Sequence, residues 1–141
     1  MSAPDAPQDL LRRATEALQS LAREHGFTSA HIDGYAPESF GDCLIVFESP
    51  QFQINVVRDR GQVFIDVGLS SESARWPLGH LVAFLEGEAA PRAIEGLEYS
   101  CQVLSAYAPR VFNQALLSDR SGELAEWAQA WASRAFAPRA S

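Results

Sequence analysis

Between Gln8 and His25 the apolar residues Leu10, Leu11, Ala14, Leu18, Leu21 and Ala22 recur at three- and four-residue steps. That spacing gathers them on one side of an α-helix. Gly26, which tolerates left-handed backbone, is the expected end of that helix. The period then changes. SAHIDGYAPESFGD (29–42) is loop-rich, with a short strand expected near Ala30–Asp33. CLIVFES (43–49) is an apolar run of strand length. QFQINVVRD (51–59) alternates, setting Phe52, Ile54 and Val56 against Gln51, Gln53 and Asn55. QVFIDVG (62–68) alternates too, with Val63, Ile65 and Val67 on one side and Phe64 and Asp66 on the other. Alternation of this kind suits a sheet with one packed face. The connections are too short for parallel crossovers, so 43–68 reads as a three-stranded antiparallel meander.

The remainder has helical spacing. Pro77 suits a first helical turn, and Leu78, Leu81, Val82 and Leu85 form a stripe that Gly87 closes. After Pro91, the residues Ile94, Leu97, Cys101, Leu104 and Ala108 predict a second helix, which Pro109 ends or kinks. A short helix follows with Val111, Phe112, Ala115 and Leu116. Ser121 is the expected N-cap of a last one, with Leu124, Trp127, Ala128, Trp131 and Ala135 inward. Strands grouped together and helices grouped together define an α+β chain: an N-terminal helix, the meander, then three to four helices packed on one sheet face. A chain of 141 residues fits a single domain, with 1–7 as a flexible arm.

Within the meander, Arg58, Asp59, Arg60 and Gly61 sit between two alternating strands. Asp and Gly are residue types that turns select. No helix N-terminus follows to complete a phosphate cradle, so RDRG reads as a hairpin turn whose arginines are solvated or held by nearby carboxylates.

Charge narrows the partners. The formal net charge is −7, and every basic residue other than histidine is arginine. Such a balance argues against nonspecific nucleic-acid binding and against an anionic membrane surface, while it permits a basic protein partner. No apolar run has the length of a membrane span, and the N-terminus lacks the apolar core of a secretory signal. A cytoplasmic location is therefore expected, with Cys43 and Cys101 as buried reduced thiols.

Catalytic chemistry finds little support. The nucleotide-binding, nucleophile-elbow and zinc-protease motifs are missing, as is a C-x-x-C pair. His25 ends a helix, and His80 lies at the edge of another. His31 and Asp33, two apart on a strand, would share a face, but two ligands are too few for zinc. The expectation is no catalytic residue, no cofactor and no metal. Trp127 and Trp131, four apart, are core positions, whereas Trp76, outside a helix, is either a lid on the core or a contact residue. The most distinctive charge feature is the run Glu24, Asp33, Glu38, Asp42 and Glu48, a span without an arginine that also holds Tyr35 and Phe40. Carboxylates can steer and pair with cationic groups, and aromatics can anchor. The expected partner-binding set is Asp33, Tyr35, Glu38, Phe40, Asp42, Glu48 and Trp76. A second cluster, Glu86, Glu88, Glu95 and Glu98, is offset by Arg92 and reads as an exposed helix face.

The run LIVFESPQFQINVVRDRGQVFIDVG, followed by Trp76 and the short helix LGHLVAFLEG, resembles a pattern in small bacterial immunity proteins. These are encoded beside polymorphic or contact-dependent toxins and neutralise them. The resemblance covers about residues 42–87 and is structural, a hairpin followed by a helix. It implies a non-enzymatic protein that occludes a basic toxin domain through its acidic surface. Two other classes fit the same pattern. One is a small-molecule-binding or enzymatic domain, with a pocket between sheet and C-terminal helices lined by His31, Asp33 and Trp76. The other is an acidic secretion chaperone or adaptor with an exposed apolar groove.

Overall fold

The alternating strands pair into one antiparallel sheet with its helices gathered on one side. A computed structural model describes residues 6–36, 38 and 41–136. In chain order they form α1 (Pro7–Ala17), α2 (Gln19–His25), β1 (Ser29–Ala36), β2 (Asp42–Glu48), β3 (Phe52–Asp59), β4 (Gln62–Leu69) and β5 (Trp76–Pro77). Then come α3 (Leu78–Leu85), α4 (Leu97–Val111), a π-helical turn (Ala115–Asp119) and α5 (Ser121–Ala135). Of the expected N-terminal arm, residues 1–5 lie outside the described residues, and Pro7 already opens α1. No helix among the described residues is long and apolar enough to cross a membrane.

The strand order is β1-β2-β3-β4-β5. Ile45, Val56 and Ile65 stand opposite one another in one cross-strand row, and Phe47, Ile54 and Val67 in the next. All six are buried. They share a core with Leu10, Ala14, Leu18 and Leu21 from α1 and α2, and with Leu97, Cys101, Leu104 and Ala108 from α4. Burying an aliphatic side chain of this size is worth about 1.5–3 kcal/mol, so these rows dominate the holding of helices to sheet.

The meander has five strands rather than the three that the alternation over 43–68 predicts, and the two additional ones are its edges. β1 spans Ser29–Ala36, beyond the expected Ala30–Asp33, yet only Ile32 and Ala36 are partly buried. An edge strand exposed on both faces lacks the apolar alternation that marks inner strands. β5 is two residues long, too short for any period, and exists because Trp76 and Pro77 pair with Val67 and Asp66.

Two helix boundaries also differ from the spacing. The N-terminal helix breaks at Leu18, yet Leu18 stays buried, so the stripe continues across the break. The helix expected after Pro91 begins only at Leu97, because the preceding backbone has tertiary partners. Arg92 N–H donates to Gly79 O at 3.1 Å, and Gly96 N–H donates to Val63 O at 2.9 Å. The close approach requires Gly79, where an added Cβ would lie 2.1 Å from Arg92 O. α4 runs through Pro109 to Val111, leaving the carbonyl of exposed Ser105 without its helical donor. Ser121 is the first helical residue rather than the cap, which is Arg120.

At the β3–β4 reversal Arg60 has φ 53° and Gly61 φ 82°, the pair of positive angles that mirror-image hairpin turns need. Asp42 Oδ1 accepts from Arg60 N–H at 2.8 Å, tying the turn to β2. Arg58 is not solvated. It occupies a helix-side position opposite Cys43 and Val63, is buried, and donates from Nε to Gly41 O at 2.9 Å.

Leu104→Ala is expected to destabilise the chain by about 2–5 kcal/mol through the cavity left in the core. Gly61→Ala is expected to cost about 1 kcal/mol through left-handed strain alone. Urea denaturation of both variants checks the order.

Candidate functional site

The helices cover one face of the sheet, and the opposite face is made of the alternate residues of the same strands. Gly34, Leu44, Val57 and Phe64 form one row across it. His31, Val46, Asn55, Asp66 and Pro77 form the next, and Ser29, Glu48, Gln53 and Gly68 the third. Asp42 and Asp59 project to the same side at the end nearest the β3–β4 turn, by the two-residue period of the strands. The centre is thus apolar. Leu44, Val57 and Phe64 are partly exposed, while Val46, between His31 and Asn55, is buried. Around it stand Asp33, Asp42, Glu48, Asp59 and Asp66.

One depression opens on this face and another at its β4 edge. One, of about 350 Å³, lies where Gly34 has no side chain, between Leu44, Val57, Asp42 and Asp59. The other, of about 430 Å³, lies at the β4 edge beneath Phe64, Pro77, His80, Arg92 and Ile94. The third row is closed off by Arg75, whose guanidinium donates to Leu69 O at 3.0 Å and to the Gln53 side chain. Gly68 makes room for it, since a Cβ there would lie 2.4 Å from Ala74 O and 2.8 Å from Arg75 Nη1.

The charges divide in the same way. Every arginine–carboxylate ion pair between described residues lies on the helices or the loops joining them: Arg12 with Asp9 and Glu16, Arg13 with Glu98, Arg92 with Glu88, Arg110 with Glu86, and Arg120 with Glu123. None takes a carboxylate of the sheet. Among the described residues Asp33 faces His31, with Nε2 3.8 Å from Oδ1, both exposed. Asp66 is partly buried, and that burial holds its carboxyl above the ordinary aspartate value.

The expected contact residues separate on this frame. Asp33, Asp42 and Glu48 lie on the uncovered face or its rim. Glu38 is exposed in the β1–β2 turn. Tyr35 is paired with Cys43 at the sheet edge and is 44% exposed. Phe40 lies outside the described residues. Trp76, in β5 opposite Val67, packs against the core. It stands at the far edge of the sheet from His31 and Asp33, so these three do not line a common pocket. Leu44, Val57, Phe64, Asp59 and Asp66 join the face without having been singled out. Val57 and Phe64 are the apolar exceptions in the otherwise polar second sets of β3 and β4, and Leu44 belongs to the uniformly apolar run of β2.

The cysteines and the other histidines lie away from this face. Cys43 and Cys101 are free and buried, and burial pushes the Cys101 thiol up to about 12, beyond use as a nucleophile at neutral pH. His25 lies against Phe112, and His80 meets the edges of Trp127 and Trp131, where burial lowers its pKa. Trp127 Nε1 donates to Glu88 O at 2.7 Å, pinning α5 to the end of α3. Among the described residues no group of three or more His, Cys, Asp and Glu could hold a metal ion. No family model, no curated protein and no solved structure matches the chain.

Because the folded state raises the Asp66 carboxyl, it holds the proton to a higher pH than the unfolded chain does. Its contribution to stability therefore falls as pH rises from the ordinary value of 3.8 through the folded value. Asp66→Asn is expected to be more stable than the parent at neutral pH, with the difference vanishing below about pH 3.8. Urea denaturation across that range checks the sign.

Proposed function

We propose that the chain is a non-enzymatic cytoplasmic binding protein that neutralises a bacterial toxin by stoichiometric occlusion, as immunity proteins do. The observation that carries this reading is the uncovered sheet face. Its apolar centre, Leu44, Val57 and Phe64, is rimmed by Asp33, Asp42, Glu48, Asp59 and Asp66. An apolar centre with a polar rim is the anatomy of a protein interface, and a rim on which carboxylates outnumber cations, with Arg75 over Gln53 and Gly68 as a cationic exception, favours a partner of the other sign. Among the described residues the arginine–carboxylate ion pairs fall on carboxylates of the helices and their loops rather than on those of the sheet. A basic toxin domain, such as one that binds nucleic acid, carries the matching charge where its own substrate would sit. Covering that surface blocks the toxin without any chemistry.

Asp66 adds a proton-linked element. A partner cation beside it stabilises the ionised carboxylate, so the complex weakens as pH falls through the carboxylate range.

The test is the protein encoded by the adjoining gene. Co-expression with that protein is expected to restore growth that it otherwise stops, and the purified pair is expected to form a one-to-one complex. Asp33→Arg with Glu48→Arg is expected to slow association by about tenfold or more at low salt, with the gap closing as salt rises. A neighbour that is not toxic, or growth that this chain does not rescue, overturns the reading.

A further inference from the structure

β1 is held by β2 along one edge only. No backbone hydrogen bond reaches its other edge among the described residues. Beside that open edge lies a groove of about 390 Å³ between the α1–α2 break and the start of β1. Ala22, Phe27, Ala30 and Phe47 give it an apolar floor, and Thr15 and Gln19 line its helical wall. Ala30 pairs with Phe47, which places the groove on the helix side of the sheet. On the opposite side, at the same edge, are His31 and Asp33, with Glu48 in the row of Ser29.

We propose that this edge takes an extended segment of the protein partner as a sixth strand, and that the segment alternates apolar and cationic side chains. The inference rests on the reading of the chain as a protein-binding protein and specifies how the partner is held. Open-edge N–H and C=O groups are matched by another strand's backbone, the basis of recognition by strand addition. The two-residue period then assigns the side chains. One set falls into the groove over Ala22, Phe27 and Ala30. The other falls on the uncovered face beside Asp33 and Glu48, where cations complete the charge. Arg23 lines the groove, on the other side of the sheet from those acids. A shift in the β1–β2 register between Ile32 and Gly34 interrupts the ladder, so the straight part of the edge is Ser29–Ile32. A second copy of this chain fits poorly. Pairing two β1 edges would bring together the acids of two chains that each carry a net charge of −7.

Three short capped peptides test this: one alternating valine and arginine, the same peptide N-methylated at alternate residues, and one with glutamate for arginine. The valine–arginine peptide is expected to bind and to protect the amides of Ser29–Ile32 from hydrogen exchange. N-methylation, which removes strand hydrogen bonds and keeps the charge, is expected to weaken binding by about tenfold. The glutamate peptide is expected not to bind. Equal binding of the methylated peptide means recognition by charge alone and overturns strand addition while leaving toxin occlusion standing. Protection at Leu44, Val57 and Phe64 in place of β1 overturns it as well, as does pairing of this chain with itself through β1.

Discussion

Ile45, Val56 and Ile65 stand in one line across the three inner strands, with Phe47, Ile54 and Val67 beside them, and the rest of the molecule is arranged round the exclusion of water from these six side chains. A strand can turn only alternate residues toward a helix layer, so packing α1, α2 and α4 against these rows commits the other half of each strand to the opposite side. The surface ion pairs follow from that layering and add little to it, because exposed charges gain little in water. Arg58 shows the strength of the constraint. It falls in the helix-side register at the end of β3, and its guanidinium is drawn to the Gly41 carbonyl rather than out to solvent.

What that commitment leaves over is a broad sheet face with no helix on it. Its centre keeps Leu44, Val57 and Phe64 partly in water, and its rim gathers aspartates and glutamates that form no ion pair with an arginine side chain among the described residues. Burying a carboxyl without a cation is unfavourable, and the raised Asp66 carboxyl records that. On the reading proposed above, a cationic partner would supply the charge that the fold does not place beside these carboxylates. The open edge of β1 adjoins both this face and the apolar groove on the helix side, so one extended segment can engage the two at once.

The hairpin turn, the buried thiols and the helical stripes were legible in the residue pattern because each depends on neighbours close in the chain. Gly61 with positive φ, Gly26 at the end of α2, and Leu10, Ala14, Leu18 and Leu21 on one side are consequences of local geometry and period. The acids of the uncovered face were half legible. Asp33, Asp42 and Glu48 stand out in an arginine-free span, whereas Asp59 and Asp66 are single acids in strands whose meaning comes from register.

The sequence by itself therefore determined the α+β class, the inner strands and their antiparallel order, since hydrophobic alternation and short connections admit little else. Only the tertiary structure decided the two edge strands, the extended course of 91–96 and the placing of Trp76 away from His31 and Asp33. Each of these depends on backbone partners in another element: β2 for β1, Val67 for Trp76, Gly79 for Arg92 and Val63 for Gly96. Hydrogen bonds of that kind leave no period in the sequence, because what they require of the chain is a backbone group in the right place rather than a particular side chain.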